Sequence, residues 1–139
     1  MDYEKLIQFR DEGNHFTRKL GIQTVEIREG YAKVKLAVEK DHTNFLGSVH
    51  GGCLFSIADS VAGAAASSYG DYSTTVNASI NYLAPALQVK EETGEARVIK
   101  HGKRISVFQV QIRNDEGKLL VQGEFTYYDM GKKIFQEEQ

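Results

Sequence analysis

The chain has 139 residues, enough for one domain and too few to give two halves comfortable cores. Its 17 Lys and Arg stand against 19 Asp and Glu, a formal net charge of -2, with no long run of like charge, which argues against a nucleic-acid footprint or a basic membrane face. With 41% hydrophobic and 26% charged residues the composition is that of a globular protein, and a single cysteine excludes an internal disulfide.

Met1-Asp2-Tyr3-Glu4-Lys5 lacks the basic start and unbroken apolar core of a secretory signal, so a cytoplasmic location is expected. Residues 2–18 carry Leu6, Phe9, Gly13 and Phe16 at three- and four-residue steps, which predicts an amphipathic N-terminal helix within 1–19. From Val25 the period becomes two: Val25 and Ile27, a turn at Arg28-Glu29-Gly30, then Ala32, Val34, Leu36 and Val38 predict a β-hairpin with one wet face. After an irregular passage, Leu54, Ile57, Ala58, Val61, Ala62 and Ala65 predict a buried helix over Gly51 to Ser68. The same stretch fails as a membrane span, because it is built from Gly, Ala and Ser and carries Asp59 at its centre. Strands are expected at about 74–83, 94–101, 104–113 and 118–128, with Pro85 ending the first and Asn114 to Gly117 turning between the last two. A tail over 131–139 is expected to fray. The order predicts one α+β domain over 1–139, a mostly antiparallel sheet laid against one central helix.

Chemistry concentrates around that helix. Between His42 and Gly70, Asp59 is the one formally charged side chain, and an acid in an apolar helix is either functional or on an exposed strip. The chain enters the helix through Asn44-Phe45-Leu46-Gly47-Ser48-Val49-His50-Gly51-Gly52, whose glycines bare backbone N–H groups at a positive helix end, the geometry an oxyanion requires. The plain alternative for the pair is backbone shape alone. Cys53 lies three residues from His50, but no third orienting residue is evident, and His15, His42, His50 and His101 show no ligand spacing, so no metal is expected. The basic run Lys100 to Arg104, with Lys90, is either an anion docking point or a solvated turn. Phe45, Phe55, Tyr69 and Tyr82 are either pocket lining or plain core.

His50-Gly51-Gly52 followed by Leu54-Phe55-Ser56-Ile57-Ala58-Asp59, and preceded by Asn44 and Gly47, resembles the signature of hotdog-fold acyl-CoA thioesterases of the phenylacetate-pathway (PaaI-like) group. Ser79 to Pro85 and Lys100 to Arg104 are similar to that group's third strand and later basic turn, and the resemblance spans about Leu20 to Tyr128. It implies a hotdog fold and thioester hydrolysis. Asn44 and the Gly51 N–H would hold the carbonyl oxygen, Asp59 would attack the carbonyl carbon or activate a water, Thr75 would position that water, and His50 would orient the loop. Gly52, Phe45, Lys103, Arg104 and Ser106 are the accompanying candidates for substrate contact. No cofactor is implied, coenzyme A entering as part of the substrate.

Gly51 and Asp59 stand eight positions apart, roughly 12 Å along one helix. A reacting carbon must lie about 3 Å from both the attacking group and the oxyanion donors. One helix does not meet that demand easily, whereas two helices from a two-fold homodimer would, giving composite sites; whether dimers pair further is left open. The competing functions are a hotdog enoyl-CoA hydratase or dehydratase, which would pair His50 with an acid, and a non-catalytic acyl-CoA-binding module.

Overall fold

The computed structural model describes residues 1–136. Two helices open the chain, α1 (Tyr3–Gly13) and α2 (His15–Leu20), followed by the hairpin β1 (Gln23–Arg28) and β2 (Tyr31–Ala37). A single 3-10 turn at Lys40–His42 and a loop lead into the long helix α3 (Gly51–Ser67). Then come β3 (Asp71–Tyr82), β4 (Glu91–His101), β5 (Ile105–Arg113) and β6 (Leu119–Lys133). All six strands form one antiparallel sheet in the order β1-β2-β4-β5-β6-β3, curled around α3. This is the expected α+β arrangement with one central helix.

The two periodicities explain how the layers meet. Alternate residues of β5 (Phe108, Val110, Ile112) and of β6 (Val121, Phe125, Tyr127) are buried, and Leu54, Ile57, Ala58, Val61, Ala62 and Ala65 of α3 are buried with them. Each large apolar side chain so enclosed contributes roughly 1.5–3 kcal/mol. The small residues of α3 and one glycine in the sheet set the spacing: a Cβ at Gly94 would stand 2.9 Å from Ile57 Cγ2 and 3.3 Å from Val34 Cγ2. Bare backbone at Gly94 therefore lets α3 rest directly on β4.

Two expectations are corrected. The N-terminal helix is not continuous: it breaks at Gly13-Asn14, where Asn14 takes φ -87°, ψ 80° and separates α1 from α2. Both residues are poor helix formers. The chain does not fray from 131 either. β6 runs through Lys133, the Ile134 N–H donates to the Gly70 carbonyl at 2.9 Å, and Phe135 packs edge-on against Phe9 with ring centroids 5.3 Å apart. Residues 137–139 of that expected tail lie outside the described residues. No helix among the described residues is long and apolar enough to cross a membrane.

β3 closes one end of the sheet and pairs only with β6 among the described residues. Its far edge, twelve residues long, is unpaired, and Val76, Tyr82, Leu83 and Leu87 on and beyond it are each more than half exposed.

Candidate active site

Asp59 points from the middle of α3 toward the paired strands β3 and β6. Thr75 and Tyr127 face each other in the register of that pair, and Tyr127 in turn faces Ser106 of β5, so the three form one row across three strands. The register of β3 shifts just after Thr75, a bulge of the kind that re-aims side chains at sites. Two hydroxyls from this row hold one oxygen of the acid: Asp59 Oδ1 accepts from Thr75 Oγ1 at 2.9 Å and from Tyr127 OH at 2.8 Å. The Tyr127 hydroxyl also lies 3.0 Å from the Asp59 backbone carbonyl. Burial, with the Asp59 charge adding to it, holds the Tyr127 phenol far above its ordinary range, so it stays a donor. Asp59 Oδ2 accepts no hydrogen bond from a described residue.

Asp59 opens on a cavity of about 480 Å³, within the size range of small-molecule sites. Its walls come from α1 (Phe9, Arg10), α3 (Asp59, Gly63), β3 (Thr75) and β6 (Tyr127). A Cβ at Gly63 would stand 3.3 Å from both Arg10 Nη2 and Tyr127 OH, so that glycine makes room for the two polar tips. The sequence reading missed Arg10 and Tyr127. Burial lowers the Arg10 guanidinium from its ordinary value, against the opposing pull of Tyr127, Asp11 and Asp59.

None of the residues of the Asn44–Gly52 loop lines the Asp59 cavity. The Asn44 side-chain oxygen accepts from Leu46 N–H at 2.9 Å, Ser48 N–H at 3.2 Å and Ser48 Oγ at 3.1 Å, while its amide nitrogen donates to no described residue. His50 caps α3: its Nδ1 accepts from Gly52 N–H at 2.8 Å, which puts the ring proton on Nε2. Gly52 N–H is thereby spent, while Gly51 N–H donates to no described residue at the positive end of a 17-residue helix. Tyr82 fixes that end from the side, its OH donating to the Gly51 carbonyl at 2.9 Å.

The remaining candidates are spread over the fold. Lys103 and Arg104 are exposed on the β4–β5 turn, three and two residues before Ser106 of the Ser106–Tyr127–Thr75 row. Ser106 is buried, with Oγ 2.9 Å from Nδ1 of His101, whose ring stacks on Tyr69 at 3.6 Å. Lys90 does not join the basic turn, because it precedes the opposite end of β4, roughly 30 Å away along the strand. Of the four aromatics, none lines the Asp59 cavity: Phe55 packs on Phe125, Tyr69 on His101, Tyr82 on Gly51, and Phe45 is 97% exposed. Cys53 is buried, and burial with nearby Glu92 pushes its thiol up, which disfavours the thiolate a nucleophile needs.

Comparison with known proteins points one way. Residues 46–121 match the family model of the thioesterase superfamily. Acyl-coenzyme A thioesterase 13 of Homo sapiens is 30% identical over 126 residues, spanning 88% of this chain and 90% of its own. The PaaI protein of the Escherichia coli phenylacetic acid degradation operon superposes with a TM-score of 0.90 at 27% identity, over 96% of both chains. A hypothetical thioesterase of Streptococcus pneumoniae, solved with coenzyme A, superposes at 0.81 with 27% identity, over 88% of this chain and 98% of that one.

Proposed function

Because the chain belongs to the thioesterase superfamily, a thioester hydrolase with the hotdog fold of the PaaI-like members, we propose that it cleaves acyl-CoA thioesters to a free acid and coenzyme A at Asp59. The observation that carries this is the carboxylate itself: Oδ1 is held by two hydroxyls, Oδ2 accepts from no described residue, and the residue lines a cavity of about 480 Å³. Oδ2 takes a proton from water as that water's oxygen bonds to the thioester carbon, or bonds to the carbon itself and is released by water afterwards. In both routes the carbonyl oxygen becomes an oxyanion and the C–S bond then breaks; on the water route the sulfur takes the proton that Oδ2 received, and on the direct route it leaves as the thiolate and takes a proton from solvent while water hydrolyses the acyl–Asp59 anhydride. The oxyanion needs fixed donors, and the unspent Gly51 N–H and the Asn44 amide are of the right kind.

Those donors belong to a second copy of the chain in this reading. Gly51 and Asp59 are on one helix, roughly 12 Å apart along its axis, and the loop that carries Asn44 does not reach the Asp59 cavity. The unpaired edge of β3 and the exposed Val76, Leu83, Leu87, Phe45 and Leu46 are surfaces that a two-fold partner would cover, bringing one copy's Gly51 to the other's Asp59. Lys103 and Arg104, exposed beside the Asp59 row, would meet phosphates of coenzyme A.

Substitution of Asp59 tests the chemistry. Asp59→Asn keeps the shape and removes the base or nucleophile, so turnover measured by thiol release should fall at least about a hundredfold while acyl-CoA binding persists. Retention of roughly a tenth of wild-type turnover would remove Asp59 from the mechanism. Loss of enoyl-CoA absorbance without thiol release would make the protein a hydratase, and binding with neither change would make it a module.

A further inference from the structure

The chemistry above leaves Arg10 unused. It lies on the face of α1 that also carries Leu6 and Gly13, and it lines the cavity into which Asp59 opens. Its guanidinium makes no hydrogen bond or ion pair with a described residue, and its Nε is fully buried without a partner. The acids around it are otherwise engaged: Asp11 accepts from the Thr24 N–H at 3.0 Å and the Thr24 hydroxyl at 2.6 Å, and Asp59 Oδ1 is held by Thr75 and Tyr127. The Asp11–Thr24 pair also pins α1 to β1, so Arg10 sits on a fixed wall.

A guanidinium offers five N–H donors in a rigid fork, and burying one unmet is costly. The cavity also has apolar lining, Phe9 and Ile134, beside which a carbon chain can run. We propose that Arg10 is a specificity-determining residue that receives an oxygen acceptor at the far end of the acyl group. The inference rests on the reading of Asp59 as the hydrolytic centre, since that fixes which end of the substrate enters the cavity. A methyl-ended chain of the same length leaves the fork unmet, and sites built to hydrogen-bond a substrate discriminate strongly against analogues that lack the partner. A hydroxyl satisfies an N–H without adding charge beside Asp59 and Asp71, and a carboxylate satisfies two at once as a bidentate pair.

The test compares hexanoyl-CoA with ω-hydroxyhexanoyl-CoA and adipyl-CoA, and butyryl-CoA with succinyl-CoA, by thiol release. The better oxygen-ended member should exceed its methyl-ended match in kcat/KM by about tenfold or more, the effect of a hydrogen bond to a charged group. Arg10→Met should erase that preference and Arg10→Lys should keep part of it. Whether hydroxyl or carboxylate leads identifies the acceptor. Wild-type values within about threefold across each set would overturn the proposal, as would an equal loss on every substrate in Arg10→Met, which would make Arg10 a partner of Asp59 instead. If Arg10→Met does not fold, competitive inhibition of the wild type by adipate, ω-hydroxyhexanoate and hexanoate decides, and equal inhibition overturns the proposal. If no thioester is cleaved, the Asp59 reading fails, and calorimetric binding of the same three acids still decides for Arg10.

Discussion

Two inactive variants should restore each other if the site is shared between chains. Asn44→Ala removes the amide donor of the loop, and Asp59→Asn removes the acid; each homodimer then lacks one half of both sites. Along α3 the loop end and the acid are roughly 12 Å apart, several times the reach of a reacting carbon, so neither defect is repaired within its own chain. When the two variants are unfolded together in equal amounts and refolded, a given site draws its loop and its acid from independently chosen chains. About a quarter of the sites then hold both wild-type residues, and thiol release per subunit should recover to roughly a quarter of the wild-type value. Native mass spectrometry of the refolded mixture counts the heterodimers. Heterodimers present at the random level with activity no higher than either variant alone would refute the shared site and the helix-distance reasoning behind it.

Tyr127→Phe removes one of the two hydroxyls on Asp59 Oδ1 and leaves Thr75 in place, so kcat should fall about tenfold with KM little changed; an unchanged kcat would mean that Thr75 alone orients the acid. Glu92 is fully buried, neither of its carboxylate oxygens has a partner among the described residues, and burial, with Asp115 adding to it, raises its pKa to about 7. The folded protein then holds a proton that the unfolded chain has released, so stability falls as pH rises from the ordinary Glu range through about 7, by about 3 kcal/mol in full. Glu92→Gln should flatten the fall of Tm over that window, and parallel Tm curves for the two proteins would show that Glu92 does not titrate there.

The periodic parts of the fold were legible because the sheet has one face on α3 and the other toward solvent. Alternation in Ala32, Val34 and Leu36 and helical spacing in Leu54, Ile57, Val61 and Ala65 each report directly on burial. The break at Asn14 was hidden because Phe16 continues the three-residue step of α1 while remaining 69% exposed. On the site side, Asp59 stood out as a charge in an apolar helix, and the Asn44–Gly52 loop as a glycine-rich entry to it. Tyr127 did not, since Tyr127 and Tyr128 are adjacent and only the register with β3 tells which of them meets the acid. Arg10 does leave a signal: it falls four residues after Leu6 and three before Gly13, so a cation shares the helix face that buries Leu6.

The tie between Asp11 and Thr24 divides the molecule into two parts that can change independently. The acid, its two hydroxyl donors and the helix that carries it belong to α3, β3 and β6, of which α3 and β6 supply much of the common core. The wall facing them is one short helix, anchored by two hydrogen bonds to a strand at the far end of the sheet. Exchanging Phe9, Arg10 or Gly13 alters what the cavity will admit without moving the carboxylate. If the cavity takes the acyl group as proposed, a lineage built on this scaffold can drift from one acyl group to another through substitutions in α1, while Asp59 and its donors are inherited intact.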